Sequence, residues 1–170
     1  MRLVPVSPVH RDAFLEVARE WRDAGVDRYG AALDDFEAWL AKVQRESVQA
    51  TCPPRFVAQD HLWLVDDAGR ILGGVRLRHR LAPHLLTEGG HIGYDVRPSE
   101  RRKGLGTRLL ALTLERARER GIERVLVTCD HDNVGSAKII ERNGGVETTT
   151  TVSERSGKVV RRYWIELADA

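Results

Sequence analysis

Residues 94–107 read YDVRPSERRKGLGT, and they decide how the rest of the chain is interpreted. The pattern predicts a β-strand that ends at Val96, a short loop opened by Pro98, and the first turn of a long helix. The loop is rich in cations and glycines: Arg101, Arg102, Lys103, Gly104 and Gly106. A helix start also exposes unpaired N–H groups and the positive end of the helix dipole. The stretch therefore predicts a site for an anionic group such as a diphosphate.

Two better-known nucleotide motifs do not fit this loop, and a solvated helix start is the plainer alternative to any binding site. A phosphate-binding Walker loop needs Gly-Lys-Ser/Thr after four spacer residues, which the sequence does not contain. A dinucleotide-binding Rossmann turn needs a third glycine where this chain has Leu109.

A different signature does fit. Arg101-x-x-Gly104-x-Gly106, preceded by Val96-x-Pro98, resembles the acetyl-CoA signature of the GNAT superfamily of N-acetyltransferases. A second block, residues 132–145, resembles the later part of that family, in which an Asn opens a helix that ends at a Gly. The spacing between the blocks leaves room for one helix and one strand, as the family requires. The resemblance is good over residues 63–164 and looser before them.

The resemblance implies an α/β (α+β) fold with a mixed, mostly antiparallel central sheet of about six or seven strands flanked by about four helices. Residues 1–170 are expected to form a single N-acetyltransferase domain, which agrees with the usual size of one domain. The sequence pattern predicts strands over residues 2–6, 61–65, 71–80, 90–96, 125–127, 146–152 and 159–167.

Helices are predicted from apolar residues at helical spacing, beginning after Ser7-Pro8 and after a capping box formed by Asp34 and Glu37. Residues 81–90 are predicted to be a connection. Further helices are expected from the phosphate loop to Gly121 and over residues 133–143. In the family, the N-terminal helices usually line the acceptor pocket, although their aromatic residues are also typical of a core.

Composition restricts the classes of partner. The chain is 42% hydrophobic and 31% charged with a net charge of +2, so a whole-surface nucleic-acid or membrane interaction is not expected. Cys52 and Cys129 are far apart, which predicts a reducing, cytoplasmic environment without a disulfide framework. No signal peptide or membrane-spanning segment is evident, and the six histidines do not have metal-ligand spacing.

The resemblance assigns the cofactor, acetyl-CoA, to specific positions. Backbone groups of Val96 would hold the pantetheine and the acetyl carbonyl, and Asn133 would bond the pantetheine arm. The pyrophosphate would lie on the amides of Arg102, Lys103, Gly104, Leu105, Gly106 and Thr107. Side chains expected near the nucleotide phosphates are Arg101, Arg102, Lys103 and Lys138. Either glycine of the motif, if replaced by a bulky residue, would obstruct the phosphate.

The proton chemistry is less directly specified. Many relatives have a tyrosine, seven residues after the Asn, that acts as an acid toward the leaving thiolate, but this chain has Ile140 there. Tyr94, Tyr163 or water would have to replace it. His91 is the first candidate for the base because its unperturbed pKa of about 6.5 suits that task, and a structural histidine is the alternative. Glu88 and Asp95 are the other candidates.

The function implied is direct acetyl transfer, within a ternary complex, to a primary amine of a small molecule or peptide. The alternative is a non-catalytic acetyl-CoA or CoA sensor, because the motif reports binding and not turnover. Alternating Arg76, Arg78 and Arg80 on one strand predict either a solvated face or contact with a carboxylate-bearing acceptor. Homodimers are common in the family. A catalytic Cys129 is disfavoured because a buried thiol at a strand end is the commoner arrangement.

Overall fold

One mixed sheet organises the molecule. The computed structural model of the chain describes residues 1–53, 56–154 and 156–167. Within them seven strands form a sheet in the order β1-β2-β3-β4-β5-β7-β6. Their bounds are β1 Arg2–Pro5, β2 Gln59–Val65, β3 Ile71–Arg78, β4 Ile92–Val96, β5 Arg124–Asp130, β6 Val146–Val152 and β7 Val159–Glu166.

The sheet is antiparallel except at its centre. β4 and β5 are parallel, and the register between them consists of a single pair, Ile92 with Val127. By contrast, β5 and β7 are paired from Arg124 to Asp130. The two central strands therefore part soon after they meet, and the sheet opens into a gap toward their carboxyl ends.

Helices cover both faces of this sheet. Their bounds are α1 Arg11–Asp23, α2 Gly30–Asp34, α3 Phe36–Glu46, α4 Pro83–Thr87, α5 Leu105–Glu119 and α6 Val134–Arg142. On one face α1, α2 and α3 bury a core with β2 and β3, in which Phe14 stacks on Trp39 and Trp63 at centroid distances of 4.6 and 4.7 Å. On the other face α5 and α6 bury the larger core, which includes Leu109, Leu110 and Ile140.

The predicted fold class is confirmed, and local differences have simple causes. A 3-10 turn at Pro8–His10 precedes α1, so Ser7 does not cap that helix with its side chain. Asp35, not Asp34, caps α3: it accepts a hydrogen bond from the Ala38 amide at 3.0 Å, because the short helix α2 occupies residues up to Asp34. The predicted connection over residues 81–90 contains α4. Residues 51–55, in which the sequence Cys52-Pro53-Pro54 predicts a helix break, lie partly outside the described residues.

Candidate cofactor and acceptor site

The gap between β4 and β5 exposes backbone hydrogen-bonding groups. Arg97 donates its amide to the Leu72 carbonyl at 2.9 Å, and the His91 carbonyl accepts from the Arg78 amide at 2.8 Å. Within β4, the backbone groups of the odd-numbered residues therefore form hydrogen bonds with β3. Backbone alternation turns the N–H and C=O groups of Tyr94 and Val96 the other way, toward β5. The gap is therefore suited to a ligand that carries amide groups.

His91 closes the narrow end of this gap. Its amide donates to the Leu126 carbonyl at 2.7 Å, and its ring Nδ1 accepts from the Leu126 amide at 2.9 Å. Burial, with the nearby Arg78 charge, lowers the pKa of His91 to about 4. The ring is therefore neutral at pH 7 with its proton on Nε2, and its one acceptor nitrogen is already used. This geometry favours the structural alternative for His91 over the base.

The loop at the wide end of the gap has a left-handed backbone at two positions. Arg102 has φ 65°, which is uncommon for a residue with a side chain. Gly104, which precedes the first turn of α5, has φ 76° and open space where a Cβ would be. The loop leads into a helix of 15 residues, whose first N–H groups have no intrahelical acceptor and so are suited to bind an anion.

The cations of the loop differ in how they are engaged. The Arg101 guanidinium lies 4.6 Å from the centre of the Trp21 ring, and Lys103 is 2.9 Å from Glu100. Arg102 and Lys138 are exposed, and neither forms an ion pair with a residue that the structure describes. The second pair is thus available to an incoming phosphate without loss of an existing contact.

Gly106 has a role that the sequence did not indicate. A Cβ on Gly106 would lie 2.5 Å from Cδ1 of Ile139 on α6, and Gly106 is buried. The glycine allows α5 and α6 to approach each other closely. The expectation that it only leaves room for a phosphate is therefore incomplete.

Asn133 and Tyr94 meet at the start of α6. Asn133 Oδ1 accepts from the Ser136 amide at 3.0 Å, which caps the helix and leaves the Nδ2 group of the side chain as a donor. The Tyr94 hydroxyl lies 2.7 Å from Ser136 Oγ, and burial raises the pKa of Tyr94 to about 12. Tyr94 is therefore protonated at neutral pH.

A pocket of about 570 Å³ lies on the opposite face of the sheet. Its floor is the exposed side of β2, β3 and β4, including Gly74 and Gly93, and its walls come from α2, α3 and α4. The aromatic side chains in its lining are Tyr29, Trp39, Phe56 and Trp63. β4 therefore borders both features: the gap lies along its edge toward β5, and the pocket lies on the face that Gly93 and Asp95 line.

Two carboxylates line the pocket, and both have protein partners. Asp95 Oδ2 accepts from Arg28 Nε at 2.9 Å and from the Tyr29 hydroxyl at 2.8 Å, whereas its Oδ1 is buried and has no hydrogen bond to a described residue. Glu46 Oε2 lies 3.0 Å from both His61 Nε2 and Gln59 Nε2. The His61 hydrogen bond lowers the pKa of Glu46.

The other predicted catalytic residues are separated from the pocket. Glu88 follows α4, is half-buried, and accepts a hydrogen bond from Ser153 Oγ. Neither it nor His91 is among the residues that line the pocket. Ile140 and Tyr163 are both fully buried in the core. Of the candidates on β4, Tyr94 faces the helices α5 and α6, and Asp95 faces the pocket.

Sequence reasoning did not identify Arg28 and Tyr29, which hold Asp95 across 67 and 66 residues of chain. They lie in a connection without a periodic pattern, so no local signal pointed to them. Among the described residues there is no cluster of three His, Cys, Asp or Glu arranged to hold a metal ion. In that same part of the chain no helix combines the length and apolar character needed to cross a membrane.

Comparison with known proteins places this geometry in context. Residues 14–145 match the model of the acetyltransferase (GNAT) family. No sequence among proteins of curated function matches the chain significantly.

Solved structures share the fold at low sequence identity. The protein yncA of Salmonella typhimurium, described as an acetyltransferase and solved with its cofactor acetyl-CoA, is 15% identical with a TM-score of 0.66 over 99% of this chain and 94% of that one. A chimera of spermidine N-acetyltransferase SpeG from Vibrio cholerae and hSSAT is 16% identical, with a TM-score of 0.70 over 99% and 98% of the two chains. A GNAT-family acetyltransferase from Bordetella pertussis is 18% identical, with a TM-score of 0.66 over 95% and 93%.

Proposed function

The chain belongs to the GNAT acetyltransferase family, and from that premise we propose that it transfers the acetyl group of acetyl-CoA directly to a primary amine of a small molecule or peptide. One observation carries the proposal. On β4, backbone groups of Tyr94 and Val96 face the gap, while Gly93 and Asp95 line the pocket on the other face. Two substrates that approach from the two faces would meet at this strand, as transfer within a ternary complex requires.

The gap and its loop fit acetyl-CoA. The amides from Arg102 to Thr107 would hold the pyrophosphate, supported by the exposed charges of Arg102 and Lys138. The backbone of Val96 and the side-chain amide of Asn133 would bind the pantetheine arm. Bound acetyl-CoA supplies an activated acetyl thioester and a thiol leaving group. The backbone groups that would bind it are already oriented, because β4 is fixed to β3 along its other edge.

Tyr94 is the residue that we assign as proton donor on the gap side. Its hydroxyl lies beside Ser136, in the first turn of α6, and the raised pKa of Tyr94, about 12, keeps the proton on Oη. It would compensate for Ile140, which occupies the position of the family's helical tyrosine. Tyr163 suits the role less well because its ring is fully buried and its hydroxyl is 3.4 Å from Glu141.

Asp95 is the group that we assign as base on the pocket side. It is the carboxylate on β4 itself, and its Oδ1 has no hydrogen bond to a described residue, while Arg28 and Tyr29 fix the orientation through Oδ2. His91 we assign a positioning role, since its one acceptor nitrogen binds the Leu126 amide. A role for Glu88 as base stays a prediction; this residue lies near the narrow end of the gap.

Binding and turnover test the proposal separately. Acetyl-CoA and CoA are titrated calorimetrically into the protein, and free thiol release is then followed with a panel of primary amines, which includes spermidine and amino acids. Micromolar binding of acetyl-CoA together with amine-dependent thiol release is the expected result. Binding without thiol release with any amine would favour the sensor alternative, and no binding would overturn the cofactor site.

A further inference from the structure

The pocket has an excess of positive charge. Four cationic side chains contribute to its lining, Arg28, Lys42, Arg76 and Arg78, against two carboxylates, Glu46 and Asp95. Both carboxylates are already bound by neighbouring side chains, as described above. Among the described residues that line the pocket, each carboxylate therefore has a protein partner, whereas the cations outnumber the carboxylates.

Two of the four cations, Arg76 on the floor and Lys42 on the wall, have side chains without a hydrogen bond or ion pair to a described residue. The side chain of Arg76 is exposed, and it forms no hydrogen bond or ion pair with any residue in the ranges 1–53, 56–154 and 156–167. Arg28, by comparison, is bound to Asp95, and Arg78 Nη1 donates to the carbonyls of Gly89 and Gly90 at 2.9 Å. The guanidinium of Arg76 can thus bind an external anion without first losing a contact within the protein.

The position of Arg76 connects this charge to the reaction centre. Arg76 is paired across the sheet with Gly93 of β4 on one side and with His61 of β2 on the other. Because Gly93 has no side chain, the guanidinium lies over it: Nη2 is 3.3 Å from where a Cβ of Gly93 would be. An anion bound by Arg76 would therefore lie within one or two residues of the Asp95 carboxylate along β4.

Arg76 and Arg78 also repel each other. They occupy the same face of β3, two residues apart, and the pKa of Arg78 is lowered to about 10, first by burial and then by the charge of Arg76. Two cations on one strand face, without a described carboxylate between them, reduce the stability of the unliganded pocket. An anionic ligand would relieve that repulsion.

We propose that the acceptor is an amine that also carries a carboxylate, and that Arg76 binds this carboxylate in a bidentate manner over Gly93. The inference rests on the proposed function, and it specifies the substrate class of the same pocket. The amine is directed to Asp95, and the remainder of the acceptor lies against the aromatic wall of Trp39 and Trp63. Guanidinium groups match the planar geometry of carboxylates and hold them with two parallel hydrogen bonds.

The same charges disfavour a polyamine. Spermidine is the substrate in the name of one fold neighbour, and as a polycation it requires carboxylates that are not already neutralised. The pocket offers Arg76 and the exposed Lys42 instead. Like charges that meet in a pocket oppose binding. Fold similarity and pocket charge therefore lead to opposite expectations for the acceptor, and the two expectations are easily compared.

Matched pairs of ligands separate these expectations. Each pair is an amino acid and the amine left by removal of its carboxylate: phenylalanine with phenethylamine, tryptophan with tryptamine, and ornithine with putrescine. Binding is measured by calorimetry or ligand-observed NMR in the presence of CoA, so that no turnover is needed. We expect at least one amino acid to bind about tenfold or more tightly than its decarboxylated partner.

Two variants test whether Arg76 is responsible. Arg76→Gln should reduce the preference for the carboxylate about tenfold or more, and Arg76→Glu should reverse it. Arg80→Gln is the matched control, because Arg80 is exposed beyond the end of β3 and does not line the pocket. Arg76 has no ion pair to lose and is repelled by Arg78, so the unfolding midpoint of the Gln variant should equal or slightly exceed that of the parent.

The outcomes are distinct. The proposal is overturned if no amino acid binds the parent better than its decarboxylated partner, or if Arg76→Gln leaves the preference unchanged. Failure of the acetyltransferase function would instead appear as absence of acetyl-CoA consumption with every amine, and carboxylate binding would still report on Arg76. The carboxylate proposal would also be overturned if spermidine bound more tightly than every amino acid tested.

Discussion

His91 and Leu126 are joined by a reciprocal pair of hydrogen bonds. The backbone of His91 donates to Leu126, and the ring of His91 accepts from Leu126. The contact spans the two central strands at the last point before they part. It is therefore the tie that sets where the cofactor gap begins.

Loss of this pair of hydrogen bonds should lower the stability of the fold more than it lowers the rate of acetyl transfer. We expect His91→Ala to reduce the free energy of unfolding by about 2–4 kcal/mol, because it leaves a cavity and deprives the buried Leu126 amide of its acceptor. Denaturant unfolding measures the change, and His84→Ala, at an exposed position of α4, is the control whose free energy of unfolding should equal that of the parent. Turnover per folded molecule should persist. A large loss of turnover at unchanged stability would restore His91 as the base.

Stability should also depend on pH through His91. Its folded pKa of about 4 lies below the ordinary value of 6.5, so the unfolded chain binds more protons between these values and stability rises with pH across that range. The neutral-ring contribution is complete above about pH 6.5 and is lost as pH falls toward 4. From pH 6.5 down to pH 4, the free energy of unfolding of the parent should fall by on the order of 1–3 kcal/mol more than that of His91→Gln. Parallel curves would contradict this pKa.

Tyr94→Phe should lower kcat by about tenfold to 100-fold. The substitution removes the hydroxyl and retains the ring, so the affinity for acetyl-CoA should stay close to that of the parent. Steady-state kinetics and calorimetry measure the two quantities. Ser136→Ala, which removes the hydrogen-bond partner of Tyr94 and of Cys129 but retains the Tyr94 hydroxyl, should have a smaller effect. Equal kcat in the parent and the Phe variant would mean that another donor, such as water, supplies the proton.

Asp95→Asn should reduce kcat/KM by about 100-fold. The amide cannot accept the amine proton, although it can still accept a hydrogen bond from Tyr29. Tyr29→Phe serves as the comparison, because it removes one contact to Oδ2 and leaves the carboxylate in place. If both variants lose activity equally, Asp95 positions the pocket lining and is not the base.

Gly104→Ala should weaken acetyl-CoA binding about tenfold, because a left-handed backbone costs an alanine roughly 1–2 kcal/mol and the loop would relax away from it. Gly121→Ala, at the other end of α5, is a matched control. Gly121 has φ 73° and, like Gly104, open space around a Cβ. Both variants should lose similar stability in thermal unfolding. Calorimetry should show weaker acetyl-CoA binding for Gly104→Ala alone; equal losses would exclude a specific role for the loop conformation.

The local parts of the fold were predictable because their signals are local. The stretch up to Thr107 contains a strand end, a turn and a helix start in adjacent residues, and the confirmed elements around it follow apolar periodicity. The single-pair register of β4 with β5 was not predictable, since it depends on how two distant strands diverge. Asp34 and Asp35 are equivalent as helix caps in the sequence, and the end of α2 decides between them.

The pocket was the least predictable part of the site. Arg76 belongs to an alternation that the sequence displays clearly, but whether its face is solvated depends on α2 and α3, which lie 30 or more residues before it. Similarly, Asp95 acquires its partners from a connection with no regular pattern. Charges in a binding pocket are brought together by tertiary packing, so their combined sign appears only in the folded chain.

The divergence of β4 from β5 divides the backbone hydrogen bonding of the molecule into two panels. One panel contains β1 to β4, the other β5 to β7, and the ladder between them is reduced to Ile92 with Val127 and the neighbouring contacts of His91. A ligand with amide groups in the gap would act as a surrogate strand and complete the sheet. Cofactor binding and unfolding are then thermodynamically linked, because the bound ligand connects the two panels of the sheet. The free energy of unfolding would therefore rise with the concentration of acetyl-CoA.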